Sequence, residues 1–318
     1  MSDQATPSAA PRSLPPVLSR FSPITILVDP RTVAAPAADA RMVTLLRRAR
    51  DLGVASFDVA GASNPERAER LLARAFPESE PHVVAVIGRS VDSLSHERTP
   101  DEEAVREKDL TGILAVSIDQ SRRRLAPVPV GAIEWALGAD ENGPTLPSLG
   151  SDTETASPPS KPLWIRRLSP AVQSLPELGL EVNLFSGSFS ILKPDIGSRF
   201  EAAAPVSNAF LVVRDPFSEG RLDGSRFSAR TGPAGPASPP VDVRRLHEEF
   251  DPVLQLGFLT AGRRRTLAQA ALQFALHWPW VATAVVPLPE PERFDEVLGF
   301  GSAPELTPDE LEQIRRLK

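Results

Sequence analysis

Asp58 stands at a strand end. Val54-Ala55-Ser56-Phe57 reads as a short buried strand, and Pro65 to Phe76 as a helix. That helix has proline at its start, an acid in its first turn, and an apolar stripe of Ala68, Leu71, Leu72 and Ala75. The Asp58 carboxylate therefore lies where a strand hands over to a loop, which is where parallel α/β folds meet their ligands. A second carboxylate, Glu134, lies in the apolar run Val128 to Trp135. Strand alternation puts Glu134 and Ala136 on one face. Together Asp58 and Glu134 form a candidate pair for acid–base work. A plainer role is favoured for each: Asp58 as acceptor of backbone N–H groups, and Glu134 as half of a buried ion pair with Arg89.

Other chemistries are excluded or unsupported. The chain has no cysteine, so thiol catalysis, disulfides and thiolate metal sites are absent. The histidines, His82, His96, His247 and His277, lack metal-ligand spacing, and no metal site is expected. No Gly-x-Ser-x-Gly elbow supports a hydrolase. Ser186-Gly187-Ser188 resembles a phosphate-cradling turn only in outline, because no clear helix follows it. A net charge of -6 argues against a nucleic-acid partner. The basic runs Arg122-Arg123-Arg124 and Arg263-Arg264-Arg265 read as solvated helix ends. The four tryptophans are expected in the core. Tyrosine is also missing, so a reaction that needs a phenol cannot run on this chain.

The elements that would hold these residues alternate. Strands are expected at Ile24–Val28, Val54–Asp58, His82–Ile87, Val128–Trp135, Leu163–Arg166, Leu180–Phe185, Asn208–Val213 and Trp280–Val286. Helices are expected at Ala38–Leu52, Pro65–Phe76, Asp101–Leu125, from Ser169-Pro170, Val241–Gly257, Thr266–Trp278, Pro291–Leu298 and Thr307–Leu317. Alternation of this kind predicts a parallel sheet with helices outside, which periodicity alone leaves open between a closed barrel and a doubly wound sheet. With 318 residues the chain is long enough for one large barrel. Residues 1–20, rich in Pro and Ser, read as a disordered tail without a secretory h-region, and no apolar run reaches the ~20 residues that span a bilayer. A single domain over 21–318 in a cytoplasmic protein is the expectation, with no membrane partner. Long loops are expected at 138–162 and 220–240.

Several stretches resemble the aldo-keto reductases. Phe57-Asp58-Val59-Ala60, followed by Glu69 and Leu72 in the helix, is similar to that family's strand ending and first signature helix. Thr266 to Leu276, then Val285-Val286-Pro287 and Pro291-Glu292-Arg293-Phe294, resembles its cofactor-side helix, strand and helix start. Asp215 to Gly224 resembles its loop after strand seven, and Ser121 to Leu125 its Ser-Leu-x-Arg-Leu helix end. The resemblance covers nearly all of 20–318 and implies an α/β fold, a (β/α)8 TIM barrel with its site at the C-terminal strand ends. In this chain the connection between the strands at Val128 and Leu163 lacks a clear helix.

The resemblance also implies a tyrosine acid, a lysine, an aspartate and a histidine around a nicotinamide. A hydride that reaches a carbonyl carbon leaves an alkoxide, which needs a nearby donor of matched pKa. By alignment Asp58 keeps its place, while Ser63, Gly88 and Ala136 stand at the other three positions. Arg166, Arg167 and Gly179 fall on the carboxamide clamp, and Arg214 on the ring-stacking aromatic. Cofactor contacts carried over are Arg293, Glu296, Gly220 and Leu222, with Asp215 and Glu219 standing where pyrophosphate would approach. NADP is thus implied at a weakened site. The expected function is a barrel that has lost carbonyl-reductase chemistry and acts as a noncatalytic subunit for a protein partner or as a ligand-binding protein. The alternatives are non-redox chemistry on an anionic substrate held by Arg89, Arg166, Arg167 and Arg214, and an NADP-dependent oxidoreductase.

Overall fold

The computed structural model describes residues 14–30, 36–78, 83–90, 106–136, 162–168, 175, 182–226 and 250–317. Its centre is a closed barrel of eight parallel strands in chain order. These are β1 (Ile24–Leu27), β2 (Ser56–Asp58), β3 (Val84–Ser90), β4 (Val130–Ala136), β5 (Leu163–Arg167), β6 (Asn183–Ser188), β7 (Ala209–Arg214) and β8 (Val281–Pro287). β8 pairs with β1 to close the ring, with Thr25 opposite Val285. The described helices are α1 (Pro36–Asp51), α2 (Pro65–Ala75), α3 (Arg106–Leu125), α4 (Asp195–Ser207), α5 (Leu267–Leu276), α6 (Phe294–Leu298) and α7 (Pro308–Arg316). Short 3-10 turns join them at Pro16–Arg20, Gln255–Arg263, Pro291–Arg293 and Phe300–Ser302.

The period of two along each strand sorts side chains between two cores. Outward residues such as Ile26, Phe57, Ile87, Ile133 and Val213 pack under the helices. Inward residues Val86, Ala132, Ile165, Leu184, Val212 and Val285 fill the lumen. Leu18 and Phe21 belong to this second cluster and are buried beneath the barrel. The disordered tail expected over 1–20 is therefore corrected at its C-terminal end: Pro16–Arg20 is a 3-10 turn that stoppers the barrel, and 1–13 lie outside the described residues. Just above the stopper, buried hydroxyls satisfy one another. Thr25 Oγ1 lies 2.6 Å from Ser56 Oγ and 2.8 Å from Thr283 Oγ1.

Helix α2 begins where its sequence says it should: Asn64 caps the Arg67 N–H and Pro65 occupies the first turn. Its Glu69 is fully buried against α3, accepting from Ser121 Oγ and Arg124 Nε. Arg124 is therefore a partner of a buried acid, not the solvated helix end expected of its run. Arg265 departs from expectation in the same way. It is buried, and it donates to the carbonyls of Leu259, Pro304 and Glu305 and pairs with Glu310. Glu310 also closes the capping box of Thr307 at the start of α7.

Other boundaries moved. β3 continues to Ser90, so Gly88 and Arg89 lie inside it. β6 runs through Ser186-Gly187-Ser188, which is strand and not a phosphate turn. Helix α4 was not expected, since it has no side-chain cap and carries Pro205, two features that mask a helical period. Of the helix expected over Val241–Gly257, residues 250–254 are helical, the 3-10 turn at Gln255–Arg263 replaces its end, and residues 241–249 lie outside the described residues. The same holds for the loop at 138–161, for 227–240, for the helix at Ser169-Pro170 and for Gly179.

Candidate functional site at the barrel mouth

The C-terminal strand ends bring a layer of polar residues into the lumen. Asp58 ends β2, and its inward neighbour across the sheet is Val86, two residues before Gly88. Gly88 sits opposite Glu134 on β4. Arg167 ends β5 beside Ser186, and Arg214 ends β7 beside Ser188. Asp58 and Glu134 are 0% and 1% exposed. Burial without partners would be costly for either carboxylate. Each has partners. Glu134 Oε1 accepts from Arg167 Nε at 2.6 Å and from Ser186 Oγ at 2.9 Å. Its other oxygen accepts from Arg214 Nη2. Arg214 Nη2 also lies 2.7 Å from Asp58 Oδ2, a charge contact whose angle makes no hydrogen bond. Asp58 Oδ1 accepts the Gly61 N–H at 2.9 Å, the backbone role expected for it.

Arg214 thus reaches from β7 to acids on β2 and β4, strands three places away around the ring on either side. Its guanidinium lies across the lumen. Sequence reasoning marked the position but not this reach, which depends on ring closure. Glu134 pairs with Arg167 and Arg214, neither of them the partner expected for it, Arg89. The side chain of Arg89 lies outside the described residues. Arg166 is corrected too. Ile165 packs in the lumen, so Arg166 falls on the outward face of β5 and Arg167 on the inward one. Burial holds the Arg166 pKa below the ordinary arginine value.

Gly88 is closed by backbone. A Cβ there would meet Ala60 Cβ at 2.7 Å, Ala60 Cα at 2.8 Å and Ala60 O at 2.9 Å. The loop after β2 has settled into the space that a side chain at 88 would need. Gly88→Ala is expected to cost about 1–3 kcal/mol through overpacking, seen as a lower denaturant midpoint; an unchanged midpoint would mean that the loop moves freely. Ser63 belongs to the same loop and turns away from the lumen. It is exposed, and its N–H and hydroxyl both bind Asp29 Oδ1, at 2.8 and 2.6 Å.

The far side of the mouth holds the other sequence candidates. Arg293 donates to Glu296 Oε2 at 2.9 Å and to Asp223 Oδ2 at 3.1 Å. Burial opposes its charge, but the hydrogen bonds it donates to Glu296 and Asp223 and the charges of both carboxylates outweigh that and raise its pKa. Leu222 is a buried core residue. Gly220 has φ +82°, and a Cβ there would meet Ser225 Oγ at 2.3 Å, so glycine is required on both counts. Asp215, Ser218 and Glu219 share the left-handed region, with φ of 56°, 52° and 60°. That conformation costs energy in residues other than glycine and is common at ligand loops. Asp215 is pushed up by burial, against the Glu219 N–H and Lys193, which lower it. Lys193 Nζ ties down Glu219 at 2.9 Å. Among the described residues no cluster of His, Asp or Glu is poised to hold a metal, and no helix is long and apolar enough to cross a membrane.

A closed barrel of eight parallel strands with polar residues gathered at its C-terminal mouth is a (β/α)8 barrel. The fold is that of the aldo-keto reductases. The glycerol dehydrogenase of Gluconobacter oxydans matches at 16% identity and a TM-score of 0.63, over 93% of this chain and 91% of that one. The holo form of an aldo-keto reductase of Bacillus halodurans matches at 17% and 0.61, over 93% and 92%. An aldo/keto reductase of Klebsiella pneumoniae, in complex with NADP and acetate, matches at 14% and 0.60, over 93% and 91%. No family model and no curated protein matches the sequence.

Proposed function

We propose that this chain is a divergent aldo-keto reductase that does not reduce carbonyls, and that it works as a noncatalytic barrel, either as the subunit of a protein partner or as a ligand-binding protein. The observation that carries this is the contact of Ala60 with Gly88. The position that the resemblance assigns to a lysine is filled by backbone, so the group is not merely substituted but has no room. Two further observations support the reading. The chain has no tyrosine, and Ser63 is committed to Asp29, so an alkoxide would find no phenol or hydroxyl donor from that loop. The surviving Asp58 is engaged by Arg214 and the Gly61 N–H.

The residues present fit a nicotinamide dinucleotide poorly. Arg214, at the position that the resemblance assigns to the ring-stacking aromatic, would present like charge to an oxidised ring. Arg293, the candidate for a phosphate, already holds two carboxylates. The Klebsiella structure, which shares the fold, carries NADP.

The test is NADPH oxidation, followed by absorbance, with a panel of aldehydes and ketones. No turnover above background is expected, and the thermal midpoint should stay unchanged in millimolar NADP(H), since a ligand that binds the native state raises it. Turnover that disappears in Asp58→Asn would overturn the proposal in favour of an NADP-dependent reductase.

A further inference from the structure

We infer that the barrel mouth binds a small oxyanion, of the carboxylate or phosphate class, across the guanidinium groups of Arg167 and Arg214. The inference rests on the reading of a mouth that holds no nicotinamide. Glu134 builds the site. One of its oxygens takes Arg167 Nε from β5 and the other takes Arg214 Nη2 from β7, so a single buried carboxylate orients both guanidiniums from strands that flank β6. Each guanidinium keeps donors to spare. The terminal nitrogens of Arg167 hold no hydrogen bond or ion pair among the described residues, and its side chain is 47% exposed. Arg214 Nε is buried without a hydrogen-bond partner. A buried donor left unsatisfied is costly, and an acceptor delivered to it recovers that cost.

The intervening strand contributes as well. Ser186 bonds Glu134 from the inward face of β6, and Ser188, two residues on, is exposed on that same face opposite Arg214. Its hydroxyl lies between the two arginines in the order of the strands. The acids of the cluster do not compete for this opening. Asp58 and Glu134 are both buried and turned to the guanidiniums and to Gly61. The exposed members of the set are Arg167 and Ser188, both donors, while the unsatisfied Arg214 Nε is buried. Planar forks of this kind suit an anion with two or more acceptor oxygens, and low-dielectric walls strengthen the attraction. Arg166, next in sequence, points to the other side of β5 and takes no part.

The experiment is a thermal-shift titration of the full chain, without NADP(H), in sodium phosphate and in sodium acetate, each against sodium chloride at matched ionic strength. At about 100 times Kd, at least one oxyanion should raise the midpoint by several degrees, and the rise should saturate. The phosphate and acetate arms separate the two sources of the anion. Arg167→Gln should weaken the apparent affinity at least about tenfold, while Arg166→Gln should leave it at the wild-type value. Arg167→Lys keeps the charge beside Glu134 without the fork, and should fall between wild type and Arg167→Gln. Because affinity is read from the concentration dependence, a lower starting midpoint in any variant does not obscure it. The inference is overturned by a shift no larger than that in chloride, by wild-type affinity in Arg167→Gln or Arg167→Lys, or by an equal loss in Arg166→Gln. None of these outcomes bears on carbonyl reduction, which NADPH oxidation decides separately.

Discussion

Replacing Glu134 with alanine destabilises the barrel by about 3–5 kcal/mol, the cost of removing one member of a buried ion cluster. The magnitude comes from what is left behind. Arg167 Nε and Ser186 Oγ lose this acceptor, and Arg214 loses its hydrogen bond and retains a charge contact with Asp58. Arg167 can turn to water because it is half exposed, so most of the loss falls on Arg214, whose side chain is 16% exposed. Urea unfolding reads the change as a lower midpoint at an unchanged slope. A double-mutant cycle between Glu134→Gln and Arg214→Gln should return a coupling within the range of about 0.5–3 kcal/mol found for residues in one network. A loss below about 1 kcal/mol in Glu134→Ala would show that the cluster is loosely held, and would also weaken the oxyanion site it builds.

Glu69→Ala has an effect of similar size, about 3–5 kcal/mol, for the same physical reason at a different place. Glu69 is fully buried between α2 and α3, where it accepts from Ser121 and Arg124. Its removal takes the short acceptor from the buried Ser121 hydroxyl, whose contact with Arg124 Nη2 is longer, at 3.3 Å. The helix layer should loosen while the mouth keeps its geometry, so oxyanion affinity in Glu69→Ala should match wild type even as the unfolding midpoint falls. A stability change under about 1 kcal/mol would mean that Arg124 finds water and the pair behaves as a surface one. Equal damage to stability and to anion affinity would contradict the separation of the two clusters.

Much of the architecture was legible because it rests on local signals. The strand at Ser56–Asp58 followed by Asn64-Pro65 is written in burial, cap and proline, and the capping boxes at Thr266 and Thr307 mark their helices directly. Helix α4 was hidden because its amphipathic period is interrupted by Gly197 and Pro205, and only packing of Phe200 against Phe185 and Trp280 reveals it. The tail was misjudged at Pro16–Arg20 because a single leucine in a Pro-rich stretch carries no period. Leu18 is buried only because the closed lumen offers it a socket. Among the site residues, Asp58 and Glu134 were found from strand position. Their partners were not, since Arg167 and Arg214 are 33 and 80 residues from Glu134 along the chain.

By itself, then, the sequence determined which groups exist. It supplies no phenol and no thiol, a carboxylate at the end of one strand, another inside a second, and arginines at the ends of two more. It also determined the parity of each strand, because side chains alternate by covalent geometry. The tertiary structure alone decided which of those groups meet. Ring closure brings β7 within reach of β2 and β4, sends Arg167 inward and Arg166 outward, and lets Ala60 occupy the space over Gly88. Contacts of that kind depend on the distance across a closed barrel, and no pattern of neighbouring residues encodes that distance.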